Sequence, residues 1–132
     1  MVGVSALLDT DISIEVMRGR FPEIDRRFNE EPEPRISTIT LMELAFGVLR
    51  SPRRRREQQL LTGYADLVPA EPFDERAAIS AARVRAELTA AGTPIGRYDT
   101  LIAGHALALG VPLVTRNRRE FERVEGLTLE VW

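Results

Sequence analysis

Short apolar runs recur along this chain, and segments with helical spacing of apolar residues separate them. That alternation constrains the fold more than any other feature. Val4–Leu8 is a short, mostly apolar run closed by Asp9, as a buried strand ending at a polar edge would be. Ile36–Ile39 reads as a second short strand, Val111–Thr115 as another, and a final strand lies near Leu127–Val131; Val68, just before Pro69, is short and extended and fits a sheet edge. Strands this short, each followed by a helix, pair most simply side by side in one direction, with the helices as crossovers. The expected class is therefore α/β with a parallel sheet.

The intervening segments carry helix start and stop signals. Asp9, Thr10, Asp11 and Ser13 offer caps for a helix through Ile14–Met17, and Gly19 can end it. Pro22 opens a second segment over Glu23–Asn29, and EEPEP breaks it. Thr40–Leu49 is a strongly apolar helix. Ser51 and Pro52 start another that runs to about Leu67. Phe73–Ala91 is long, alanine-rich and stopped by Gly92; Tyr98–Leu109 is apolar and ends at Gly110; a short helix lies near Glu120. No linker, repeat or low-complexity tract interrupts the pattern.

Composition narrows the chemistry. With 132 residues and 44% apolar content, the chain fits one domain with a buried core. It has no Cys, which excludes a disulfide scaffold, a zinc–thiolate site and a cysteine nucleophile. All 18 basic residues are Arg, so there is no Schiff-base or P-loop lysine; the bias itself is read as codon usage. The N-terminus lacks a basic leader, and no stretch approaches the ~20 apolar residues of a membrane helix. A cytoplasmic protein is expected. A net charge of −2 argues against a broadly basic nucleic-acid binder.

In open parallel sheets, sites form at the carboxyl ends of strands. The residues expected there are Asp9, Thr38, Thr40, Thr115 and Asn117. Asp9 reads equally as a helix cap or as a functional acid, and Asp11 reads better as a cap. Glu43 shares a narrow polar stripe with Thr40, Gly47 and Arg50 on an otherwise apolar helix; the stripe is either a thin solvated face or a site. Gly47 costs about 1 kcal/mol of helix stability relative to Ala, which favours a place where something approaches closely. Asp99 and Glu120 each lie in a first helical turn, where an acid complements the helix dipole. Together these carboxylates could converge on one edge. Such a cluster repels itself unless cations are present, and its all-oxygen donors suit Mg²⁺ or Mn²⁺ rather than zinc. That combination points to cation-activated water attacking a phosphodiester.

LLDTDI, ISTITLMELAFG, IGRYDTLIAGHALALG and LVTRNRREFERVEGLTLEVW resemble the signature blocks of PIN-domain ribonucleases in order and spacing. The last two resemble most the VapC toxins of type II toxin–antitoxin pairs, and the resemblance spans essentially the whole chain. It implies a three-layer α/β/α fold around a parallel sheet of about five strands, with residues 1–132 forming a single domain. It further implies an Mg²⁺- or Mn²⁺-dependent endoribonuclease acting on transfer or ribosomal RNA and leaving 5′-phosphate and 3′-hydroxyl ends. Carried over block by block, the acids that hold the cation fall on Asp9, Glu43 and Asp99. The fourth position divides: Asn117 stands where many relatives have Asp, and Glu120 then completes the site. Thr115 orients its neighbours. Asp11 and Tyr98 depart from the Asn more usual at their positions.

The implied partners are a VapB-like antitoxin, whose C-terminal segment occupies a groove along Ile14–Met17 and Leu41–Leu49, and a second copy of the chain in a homodimer. Arg97, Arg116 and Arg119, with Arg118, flank the acids and are expected to hold the RNA backbone. Arg53–Arg56 reads as a solvated helix start or a further anion contact. His105 reads as a packed core residue. Asp9-Thr10-Asp11 after a strand also suits a haloacid-dehalogenase-like phosphatase, but that reading needs a Lys and a late Gly-Asp pair that this chain lacks; a receiver domain also needs the Lys. A PIN domain that binds RNA or protein without cleaving is the remaining alternative.

Overall fold

The first apolar run becomes the middle of the sheet. In the computed structural model, which describes residues 3–132, β1 (Ala6–Leu8) is buried along its whole length. It pairs in parallel with β2 (Pro34–Ser37) on one side and β4 (Leu113–Thr115) on the other. β3 (Ala70–Glu71) extends the sheet beyond β2, and β5 (Leu129–Val131) extends it beyond β4. The order is β3-β2-β1-β4-β5, parallel throughout. A central strand covered on both faces has no polar side to present, so β1 reads as an unbroken apolar run.

Helices cover both faces. Alternate residues of β1 point to opposite sides, and they join two separate cores. Ala6 and Leu8 pack with Ile12, Leu44, Val48, Leu61 and Tyr64, which come from α1 (Thr10–Arg18), α3 (Thr38–Arg50) and α4 (Arg54–Leu67). Ile24 of α2 (Pro22–Glu30) joins them. Leu7 packs on the other face with Val84, Leu88, Ile102, Ala106 and Phe121, from α5 (Glu75–Ala90), α6 (Arg97–Leu109) and α7 (Arg118–Phe121). The expected three layers are present. α5 and α6 lie unusually close, because a Cβ at Gly104 would overlap the backbone of Ala81.

Several element boundaries move for local reasons. The second strand spans Pro34–Ser37 rather than Ile36–Ile39. Ser37 Oγ accepts the backbone N–H of Ile39 at 3.1 Å and turns the chain into α3 two residues earlier than Thr40. Pro34 is tolerated as the first residue of a strand. Val68 is not in the edge strand: it ends α4 and is fully buried, and the strand forms past Pro69. Ser51 caps a turn, accepting from Arg53 N–H at 3.0 Å, so α4 starts at Arg54 rather than at Pro52. Asp74 caps α5 through the Ala77 N–H and leaves Phe73 outside the helix.

The topology chooses the functional edge. From β1 the chain steps outward to β2 and β3, then returns to the other side of β1 for β4. The direction reverses between β1 and β4, and at such a reversal the following loops splay apart at the carboxyl edge. Asp9 leaves β1 at that point, and Thr115 ends β4 beside it.

Candidate active site

Four elements deliver carboxylates to the β1/β4 edge. Asp9 caps a helix, one of the two readings its position allowed, and is buried among other acids. Its Oδ1 accepts the Ile12 N–H at 2.8 Å and caps α1, and the residue is only 2% exposed. Glu43, one turn into α3, is partly buried, and its Oε1 accepts the Thr10 hydroxyl at 2.7 Å. The same hydroxyl lies 3.2 Å from Thr40 Oγ1. A solvated stripe does not form, since Thr40 is fully buried and only Gly47 and Arg50 are exposed. Gly47 faces open space and lines a small groove with Met17, Glu43 and Val48.

Asp99 sits in the first turn of α6. Glu120 reaches it from α7 and is tied down at both oxygens. Oε1 accepts the Gly96 N–H at 2.8 Å, and Oε2 accepts from Asn117 Nδ2 at 2.6 Å. Asn117 in turn caps α7 through its Oδ1. Thr115 is fully buried, and its Oγ1 accepts the Asn117 N–H at 2.9 Å. The sequence positions Asp9, Glu43, Asp99, Thr115, Asn117 and Glu120 thus come together.

Their charges act on one another. Burial pushes the Asp9 carboxyl up to about 7, and the charges of Asp11 and Glu43 add to it. The hydrogen bonds from Thr115 and the Ile12 N–H favour the ionised form and oppose the rise. Asp99 is also pushed up to about 7, first by burial and then by the charge and hydrogen bond of Glu120, with Asp9 and Glu43 contributing. Two acids raised by burial and by neighbouring acids in one place mark a candidate functional site. In this conformation no three such side chains among the described residues lie close enough to enclose one ion. Thr10, Gly96 and Asn117 engage Glu43 and Glu120 instead.

The arginines divide. Arg116 follows Thr115 and lines a cleft with Asp11, Ile14, Glu15 and Asn117. Arg119 is exposed on α7. Arg97 opens α6 but lines a different groove, between α5 and α6, with Phe73, Arg85 and Pro94. Arg53–Arg56 is exposed at the start of α4. His105 is buried, with Nδ1 2.8 Å from Ser37 Oγ and its ring edge-on to Phe73; burial lowers its pKa and keeps it neutral. It takes no part in the acid cluster.

Three residues escaped the sequence reading. Thr10 looked like a cap and instead bridges α1 to Glu43. Gly96, between two expected helices, brings its N–H to Glu120; a Cβ there would crowd Asp99 Oδ2 at 3.3 Å and Glu120 Oε1 at 3.4 Å. Its spacing three residues before Asp99 was the available signal. Glu15, on the helix after Asp9, is 6% exposed, and nothing local marked it as buried.

Residues 6–127 match the PIN domain. The chain is 40% identical over 127 residues to a Salmonella typhimurium protein named tRNA(fMet)-specific endonuclease VapC, covering 96% of each. It is 35% identical to the Haemophilus influenzae ribonuclease VapC2, again over 96% of each. Among solved structures, a chain of VapBC2 from Rickettsia felis bound to a DNA fragment from their promoter superposes with a TM-score of 0.92 at 30% identity, covering 98% of this chain and 99% of that one. DNA-bound VapBC from Salmonella typhimurium gives 0.91 at 39% identity, with 98% of each covered. On these grounds the chain belongs to the PIN-domain family and groups with its VapC members.

Proposed function

We propose that this chain is an endoribonuclease toxin that depends on Mg²⁺ or Mn²⁺ and is held in check by a VapB-like antitoxin. One observation carries the reading: Asp9, Glu43, Asp99 and Glu120 converge at the sheet's reversal point, in a chain 40% identical to a VapC endonuclease along nearly its full length. The named relatives favour transfer RNA as substrate, and the VapBC structures favour the antitoxin partner. Residues 1–132 act as one domain, and the toxin works in the cytoplasm as a homodimer and in a hetero-oligomer with its antitoxin. Among the described residues no helix is long and apolar enough to cross a membrane.

Asp9, Glu43 and Asp99 would hold the cation, and Glu120, positioned by Asn117 and Gly96, would complete the set. The donors fit a hard ion, since all are oxygens. When bound, such an ion makes water more acidic and offsets the negative charge that builds on the phosphoryl oxygens. Asp9 and Asp99, whose carboxyls burial pushes up to about 7, would need to be ionised to hold it. Thr115 favours the ionised form of Asp9 and keeps Asn117 in place, while Arg116 and Arg119 hold the RNA backbone, with Arg97 a lesser contact from the α5–α6 groove. The ribose 2′-hydroxyl has no role, so cleavage leaves 5′-phosphate and 3′-hydroxyl ends.

The test is cleavage of labelled initiator transfer RNA by purified protein in Mg²⁺, Mn²⁺ or EDTA. Cleavage in either cation, loss in EDTA, and loss in a folded Asp99→Asn variant are expected. Undiminished cleavage by Asp99→Asn would overturn the reading. RNA binding without cleavage in either cation would leave a binding module instead.

A further inference from the structure

Beside the acid cluster lies a second, smaller group of charges. Glu15 is buried, and its Oε1 accepts from Arg20 Nη2 at 2.5 Å. Its Oε2 is also buried and has no hydrogen-bond partner among the described residues. The other cation near it is Arg116, whose Nη1 stands 3.8 Å from Oε2, an ion pair too long for a hydrogen bond. The Arg116 guanidinium also lies over the Phe21 ring, 4.6 Å from its centroid, and Arg20 approaches the same ring at 5.8 Å. Three segments therefore meet on one arginine: α1 through Glu15, the α1–α2 junction through Phe21, and the end of β4 through Arg116 itself.

This arrangement holds the arginine without using up its donors. Arg116 donates no hydrogen bond to the described residues, yet an opposite charge and an aromatic face restrain its guanidinium. It lines a cleft of about 450 Å³ with Asp11 and Asn117, and the Asn117 amide donates to Glu120 of the acid cluster. A planar fork of free N–H groups, fixed in advance at the mouth of a phosphodiester site, suits bidentate contact with a phosphate. An unrestrained arginine would lose rotamer freedom on making the same contact.

We propose that Glu15 and Phe21 are positioning residues that hold Arg116 ready for a backbone phosphate of the RNA substrate. The proposal rests on the nuclease reading for the identity of the ligand. It makes a prediction opposite in sign to simple electrostatics. Glu15→Gln removes a negative charge near an RNA site, and charge alone would tighten binding. A positioning role requires the reverse: Arg116 loses its anchor, and RNA binds more weakly despite the added positive charge.

The test is equilibrium binding of a fluorescein-labelled single-stranded RNA in EDTA, where cleavage is off, across a range of salt. Glu15→Gln is expected to weaken binding by about tenfold, the equivalent of one charge-assisted hydrogen bond. Phe21→Leu, at a partly exposed position, should act in the same direction and guards against a folding defect in the buried variant. Adding Glu15→Gln to Arg116→Ala should cost nothing further, because the arginine it positions is gone. Arg116→Lys should fail to restore binding, since an ammonium keeps the charge but not the fork. Unchanged or tighter binding by folded Glu15→Gln overturns the proposal, as does an equal loss on the Arg116→Ala background. If wild type binds RNA and Glu15→Gln weakens it, but no cation supports cleavage, the positioning role stands and the nuclease reading falls. If wild type does not bind RNA, both fall.

Discussion

The backbone N–H of Gly96 donates to Glu120 Oε1 at 2.8 Å and so joins the start of the helix carrying Asp99 to the short helix after β4. Glu120 is thereby held against Asp99, whose carboxyl it helps push up to about 7. Glu120→Gln removes that like charge. The Asp99 carboxyl should then titrate lower, as carbon-detected NMR of the side chain would show. If Glu120 completes the cation set, Mn²⁺ affinity should fall at least about tenfold, with cleavage recovering at high Mn²⁺. Unchanged Mn²⁺ affinity would put Glu120 outside the set.

The raised acids also make stability depend on pH. In metal-free protein the folded-state value of Asp9 is about 7 against an ordinary 3.8. The folded chain therefore binds this proton more tightly than the unfolded chain. The resulting stabilisation is present below the ordinary value and is lost as pH rises towards 7. Asp99 acts in the same direction. Asp9→Asn keeps the cap oxygen for Ile12 and removes the charge. Urea unfolding in EDTA should find this variant more stable than wild type by about 1–3 kcal/mol near pH 8, with the two converging near pH 4. A variant no more stable than wild type at the higher pH would show that the Asp9 charge is not strained in the fold.

Two glycines on helices should respond oppositely to the same change. Gly104 lies against the Ala81 backbone, so Gly104→Ala forces α5 and α6 apart and should lower stability by about 1–3 kcal/mol or more. A Cβ at Gly47 would meet nothing within 4 Å outside its own helix. Gly47→Ala should raise helix stability by up to about 1 kcal/mol. Thermal melts of the two variants beside wild type decide it, and a stable Gly104→Ala would contradict the packing.

The arginines beside the cluster should appear in the salt dependence of RNA binding. Each phosphate contact on a single strand contributes a slope of about −0.7 in log affinity against log salt. Arg116→Ala with Arg119→Ala should flatten the slope by roughly twice that amount if both touch phosphate. Arg97→Ala should do so less, because Arg97 lines the groove between α5 and α6. An unchanged slope in the double variant would remove both arginines from the RNA contact.

Much of the architecture was legible because local patterning and global packing agree here. Val4–Leu8 read as a buried strand, since a strand covered on both faces has no polar side. Errors came where one side chain redirects the backbone. Ser37 begins α3 early by capping Ile39, and Val68 belongs to the end of α4 rather than to the edge strand. In the site, acid identity and position were readable, but function and capping could not be separated. Asp9 shows why: one carboxylate caps α1 and also lies in the field of the other acids.

By itself the sequence determined the α/β class, the placing of acids at strand and helix ends, and the absence of lysine and cysteine chemistry. Those follow from side-chain type and spacing, which are local properties. Only the tertiary structure decided which acids share a field, because that depends on strand order. The reversal between β1 and β4 sets Asp9 beside Thr115, and through α6 and α7 it sets Asp99 beside Glu120. It also separated the arginines, sending Arg97 to the α5–α6 groove and Arg116 to Glu15 and Phe21. Burial of Glu15 could not be read from its neighbours, since its partners lie in a turn and a strand end that meet only when the sheet is assembled.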